Sequence, residues 1–248
     1  MGFAEIAILT VIFFIGGFVK GTIGIALPSI LIGLMTFFYE PRVAVAMGLI
    51  VIMTTNFRQA WVGGEIWPVI KRHSYFCACA CVGIFFVATV GGQVPLSILQ
   101  TSVGVAMSVF ALTNLFGSFP KLNMKYDVPV QIVAGTVSSV LGGLTAIWGP
   151  PLAVYLITLR MDKDTMIKTL GVMFSAQSIF LTAGFAVSGE LTARLALIGA
   201  LLMIPAFAGM YLGEHARKKL NTEQFTKYFL IAFLILGVNL IRRGLMGA

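Results

Sequence analysis

Apolar residues run through this chain in long blocks, not in the stripes or alternations of a soluble domain. The blocks at Val43–Thr55, Phe76–Val90, Leu96–Phe116, Met166–Val187, Leu195–Leu212 and Tyr228–Ile241 are long enough, with their flanks, to cross roughly 30 Å of hydrocarbon as helices. Period-two alternation is missing, which excludes a membrane barrel. Two further apolar stretches, Phe3–Tyr39 and Val128–Leu159, are broken in the middle. The first is interrupted from Lys20 to Pro28 and the second from Gly142 to Pro151. The pattern predicts an all-α polytopic membrane protein with two helical hairpins, each bent inside the bilayer. Paired interruptions of this kind in corresponding positions mark transporter binding sites.

The halves echo each other weakly. Gly64-Glu65-Ile66 returns as Gly189-Glu190-Leu191 and Asn114-Leu115 as Asn239-Leu240, both at an offset of 125 residues. A first repeat is therefore expected over 1–120, with a hairpin near 3–39 and spans near 42–62, 72–92 and 95–118. A second is expected over 121–248, with a hairpin near 128–160 and spans near 164–188, 193–213 and 222–243. Lys20 aside, the 17 Lys and Arg lie in connections or at segment ends. If the second broken stretch crossed once, they would divide eight and eight; if it returns to its own side, they divide twelve and four. The positive-inside rule selects the re-entrant reading. An odd number of crossings then inverts the second half relative to the first, with both termini outside and a polar cavity expected where the hairpin tips meet. Glu65 and Glu190 are expected at opposite mouths, and Arg58 at the cytoplasmic end of its span.

Composition agrees: 58% of residues are hydrophobic and 10% charged, too few polar side chains to coat a soluble globule. The net charge of +8 reads as basic loops facing the cytoplasm, not as a nucleic-acid footprint. The N-terminus carries Glu5 and no basic residue before Lys20, unlike a cleaved secretory signal, so nothing is expected to be removed. Cys77, Cys79 and Cys81 fall in one span, where only Cys77 and Cys81 share a helix face; packing is the reading, with no metal or cofactor.

The candidate chemistry sits at the two breaks. Pro28 and Pro150 with Pro151 suit the first turn of a restarting half-helix, whose N-terminus carries partial positive charge. Gly21, Gly24, Gly142, Gly143 and Gly149 allow close approach of backbone, while Thr22, Ser138, Ser139 and Thr145 add hydroxyls. Lys20 is the basic group deep in a broken stretch, and no acidic residue lies near it in sequence, so a transported anion is its natural partner. Trp148 is positioned to stack in the cavity or to anchor the tip. Asn56 and Gln177 lie within neighbouring spans, within reach of a ligand or of another helix. Small residues in membrane helices also serve packing alone, so the paired clusters are the signal, not any single member. All nine Asp and Glu fall at segment ends or in loops, which disfavours a proton relay. His73 and His215 sit in basic loops, which argues against an intramembrane hydrolase.

The run from Gly135 to Pro151, GTVSSVLGGLTAIWGPP, resembles the second signature of the TauE/SafE family of sulfite exporters, and Gly17 to Gly24 with Pro28 is similar to the first. Ile25 and Ala26 stand where glycine is common in that family. The resemblance implies a multi-pass protein of the bacterial inner membrane that moves sulfite, sulfonates or other small organic anions. The reading is thus an exporter of small sulfur oxyanions or organosulfonates bound between the two tips, with the lipid bilayer as its other partner and room for a homo-oligomer. The alternative is an ion-coupled importer of small organic anions.

Overall fold

The computed structural model describes residues 2–24, 26–63, 66–116, 120–217 and 222–246. Among the described residues the chain is all-helical: α1 Phe3–Ile23, α2 Leu27–Met35, α3 Pro41–Gly63, α4 Ile66–Arg72, α5 Ser74–Val90, α6 Leu96–Phe116, α7 Asp127–Thr145, α8 Gly149–Thr158, α9 Lys163–Val187, α10 Ala193–Ala216 and α11 Thr222–Met246. Seven helices are long and apolar enough to cross a membrane: α1, α3, α5, α6, α7, α9 and α10. The sequence reading did not anticipate α4, a short helix whose exposed Trp67 lies under the Lys71 ammonium at 5.5 Å, a pairing suited to a headgroup region.

Both broken stretches end their first arm in the same way. Gly24, at φ 87°, closes α1 with its N–H on Lys20 O at 2.7 Å, and Ala146, at φ 56°, closes α7 with its N–H on Gly142 O at 2.8 Å. Left-handed residues stop a helix while satisfying an orphan carbonyl. A proline follows in the first turn of the next helix, Pro28 in α2 and Pro150 in α8. Ile25, Gly64, Glu65, Lys218 and Lys219, which the sequence reading used, lie outside the described residues.

Contacts between their ends make each stretch a hairpin. The Tyr39 hydroxyl donates to Glu5 Oε1 at 2.5 Å, so the chain comes back from the first tip to the level where α1 began. In the second hairpin, Leu122 N–H donates to Thr158 O at 2.9 Å and the Tyr155 hydroxyl donates to Asp127 Oδ1 at 2.9 Å. The tips reach opposite ways. Arg42, three residues after Tyr39, donates to Gly143 O in the last turn of α7. Arg58, sixteen residues on and about 24 Å further along α3, pairs with Glu214 beside Gly21 and Gly24.

Helix pairing follows a regular scheme. α1 packs on α10 as α7 packs on α5; α3 packs on α10 as α9 packs on α5; α2 and α8 rest on α11 and α6; and α3·α9 and α6·α11 close the set. Exchanging α1, α2, α3, α5 and α6 for α7, α8, α9, α10 and α11 leaves these pairings unchanged. The α1–α10 contact is backbone against backbone. A Cβ at Gly17 would stand 1.9 Å from Ala206 O, at Gly21 2.2 Å from Met210 O, at Gly209 2.1 Å from Phe14 O and at Gly213 2.1 Å from Phe18 O. These are two small-xxx-small faces meeting, the geometry that lets membrane helices approach most closely. On the α5–α7 side Gly135 lies 2.8 Å by the same measure from Phe76 O, and Gly143 lies against Val87 and Ala88.

Gly209→Leu is expected to force these helices apart and to cost about 3 kcal/mol or more, at the upper end of overpacking penalties. Gly2→Ala, where a Cβ meets nothing within 4 Å, should cost only the N-cap preference for glycine over alanine, about 1 kcal/mol or less. Thermal unfolding of the detergent-purified variants checks both; an unshifted Gly209→Leu midpoint would remove the close contact from the account.

Candidate functional site

Lys20, in the last turn of α1, is 3% exposed. Its ammonium donates to Thr55 Oγ1 at 3.1 Å and to Asn56 Oδ1, both on α3, and Asn56 in turn donates to Phe174 O of α9 at 3.4 Å. These hydrogen-bond partners are neutral. The ammonium sits at the edge of a vestibule of about 550 Å³ walled by Gly21, Gly24, Arg58, Gln59, Lys168 and Arg217, among others, with Glu214 the one carboxylate among the described residues of its lining. That carboxylate is held by Arg58 through both of its oxygens. Among the described residues, Lys20, Lys168 and Arg217 therefore line the vestibule beyond the paired Arg58 and Glu214.

Between the tips lies a second space, lined by Ala26, Pro28 and Ser29 from one hairpin and Ala146, Ile147, Trp148, Gly149 and Ala153 from the other, with Phe110, Leu170 and Phe174. Its volume is about 20 Å³, room for one water-sized sphere and too small for a sulfur oxyanion. The polar central cavity expected from the sequence is not what the described residues form. The hydroxyls turn back onto backbone: Thr22 to Val19 O, Ser139 to Thr136 O, Thr145 to Leu141 O and Ser138 to Trp148 O. Pro28, Pro150 and Pro151 remove N–H donors from the two half-helix starts. Trp148, 1% exposed, closes the space edge-on to Phe174, ring centres 6.1 Å apart. Polar, cation-lined volume lies to one side, at Lys20.

The remaining sequence candidates divide by place. Gln177 Oε1 lies 3.2 Å from Ser138 Oγ, sharing with Trp148 O the one hydroxyl proton, and its amide donates to Met173 O at 3.1 Å, so α9 meets α7 as Asn56 on α3 meets Lys20 of α1. Gly21 and Gly143 face α10 and α5, and Gly142 faces Trp148 and Ile84. Sequence reasoning passed over Thr55, Phe110 and Phe174, which have no distinguishing neighbours in the chain, and treated Arg42 as one more loop cation. Glu190 pairs with Arg42. Cys77 and Cys81 share a face with their sulfurs 3.8 Å apart.

At the base of the second hairpin a polar network ties both arms to the α4–α5 turn. Asp127 accepts from Arg72 at 2.7 Å, Gln131 at 2.9 Å and the Tyr155 hydroxyl at 2.9 Å. Because that hydroxyl proton goes to Asp127, His73 Nδ1, 3.1 Å from the same oxygen, must be the donor in their contact. Burial, with the Arg72 charge adding to it, pushes the His73 pKa down to about 4.

Broken helices buried by partner helices, meeting within a multi-pass bundle beside a cation-lined vestibule, match an arrangement found in membrane transporters. The family described as Sulfite exporter TauE/SafE matches residues 9–240, and the chain belongs to that family. Its membership implies membrane transport of sulfur anions such as sulfite. Among curated proteins and solved structures, none matches.

Since the unfolded chain protonates His73 near pH 6.5 and the folded one only near 4, stability is full above pH 6.5 and falls as the pH drops toward 4. At pH 5 the expected loss is about 2 kcal/mol. A thermal midpoint lower at pH 5 than at pH 7 in the wild type, and flatter with pH in His73→Gln, is the expected result; identical pH profiles would contradict it.

Proposed function

We propose that the protein exports small sulfur oxyanions or organosulfonates from the cytoplasm, capturing them at Lys20 and passing them between the two hairpin tips. The observation that carries this is the buried Lys20 ammonium, held by neutral Thr55 and Asn56 at the edge of a basic vestibule. A cation inside a membrane protein without a carboxylate partner favours an anion that comes and goes. The vestibule opens on the face that also carries Arg72, Lys168 and Arg217, which the positive-inside rule makes cytoplasmic.

We infer further that the halves are an inverted duplication, supported by the exchange of helix pairings and by hairpins whose tips reach opposite ways. The closed space between the tips then represents one state of an alternating carrier, with the anion path open to the cytoplasm and shut beyond Trp148. Passage requires the hairpins to part. With the cytoplasm negative, each exported charge gains about 2.3 kcal/mol per 100 mV, so export needs no coupling ion.

Proteoliposomes holding a membrane potential, negative where the sulfite is loaded, should release sulfite or a sulfonate faster than protein-free vesicles; equal flux ends the proposal. Lys20→Ala should insert normally yet bind sulfite on the order of 30-fold more weakly, since a hydrogen bond to a charged group contributes about 1.5–3 kcal/mol. Unchanged affinity would place Lys20 among packing residues.

A further inference from the structure

Arg42 is the counterpart of Lys20 at the other mouth, and it is partnered quite differently. Its side chain is 9% exposed and its guanidinium lies 3.9 Å over the Phe185 ring. Nη2 donates to Ala88 O at 2.7 Å, at the end of α5, and Nη1 to Gly143 O at 3.2 Å, in the last turn of α7. Nε donates to Glu190 Oε2 at 2.5 Å. The group stands in a pocket of about 390 Å³ whose lining includes Glu40, Gly92, Leu99, Gly189 and Glu190. Glu190, whose side chain is 23% exposed, comes from the turn between α9 and α10 and lies over Gly92, where a Cβ would stand 2.1 Å from Oε1.

We propose that Arg42 is a second, outward-facing anion site, a release station at which the carried oxyanion takes the place of Glu190. The inference rests on the carrier reading above. A guanidinium is charged at every accessible pH, and leaving it buried without a counter-charge is strongly unfavourable. Exchanging one carboxylate for one oxyanion avoids that state, and the Nε–H now given to Glu190 can be given to either. Glu190 is the resident counter-ion that returns when the anion leaves.

The difference from Lys20 gives the two mouths different affinities. At Lys20 an arriving anion displaces only neutral partners, whereas at Arg42 it must displace a carboxylate while Glu40 stands in the same pocket. Binding is therefore tight at the cytoplasmic mouth and weak at the outer one. Arg42 also bonds the second tip directly through Gly143, so losing or regaining Glu190 is felt where the path is shut.

Calorimetric titration of the detergent-purified protein with sulfite, in chloride-free gluconate buffer, separates the possibilities. Wild type is expected to bind one sulfite, on the order of 30-fold more weakly in Lys20→Ala. Glu190→Gln should bind two, and Lys20→Ala combined with Glu190→Gln should retain one. Glu190→Asp, which keeps the counter-ion, should behave as wild type. One sulfite at wild-type affinity in Glu190→Gln overturns the release station and leaves the carrier reading standing. No sulfite bound to wild type overturns the carrier reading, and with it the inference. If Glu190→Gln melts too readily for titration, its thermal midpoint decides: millimolar sulfite should raise it more than it raises the wild-type midpoint, and an equal or smaller rise counts against the proposal.

Discussion

Backbone that leaves the helix inside a bilayer has to be covered by protein, and glycine-faced contacts do most of the covering here. α1 lies on α10 through Gly17, Gly21, Gly209 and Gly213, and α7 lies on α5 through Gly135 and Gly143. In both cases the long arm of a hairpin from one half of the chain is held by an unbroken helix from the other half. The approach is so close that carbonyl oxygens take the room side chains would need. Everything downstream depends on this: the depth of the tips, the turn of Lys20 toward α3, and the meeting of Ala26 with Trp148 around one small space.

Charge is distributed along that scaffold in an ordered way. The vestibule beside the first tip collects Lys20, Arg58, Lys168 and Arg217, while the pocket beside the second holds one cation and two carboxylates. Between them the walls are aromatic and aliphatic. On the export path proposed above, a small anion meets attraction, then a narrow and largely apolar constriction, then a site already occupied by a side chain of its own sign.

The sequence made the class of fold legible because hydrocarbon thickness leaves few options for long apolar blocks, and the two runs of glycine, serine and proline were specific enough to point to the family. The helix breaks at Gly24 and Ala146 fall inside the segments the pattern singled out. The site was legible only in part. Lys20 stood out as a charge with no partner in sequence, but its actual partners, Thr55 and Asn56, come from a different helix, α3, and lie near it only because α1 and α3 both pack on α10. The hydroxyls of Thr22, Ser139 and Thr145 look in sequence like ligand donors; helical geometry instead puts a carbonyl three or four residues back within their reach. Arg42 and Glu190 lie 148 residues apart, so no local pattern connects them.

Both bends carry alanine in the left-handed region, Ala26 at φ 82° and Ala146 at φ 56°, where glycine would fit without steric cost. Such a conformation costs an alanine about 1–2 kcal/mol, yet alanine has less conformational freedom to lose than glycine when the bend is held. The apices are stiff corners, not swivels. On the carrier reading proposed above, rearrangement then falls on the seams between whole helices more than on the alanine at each apex.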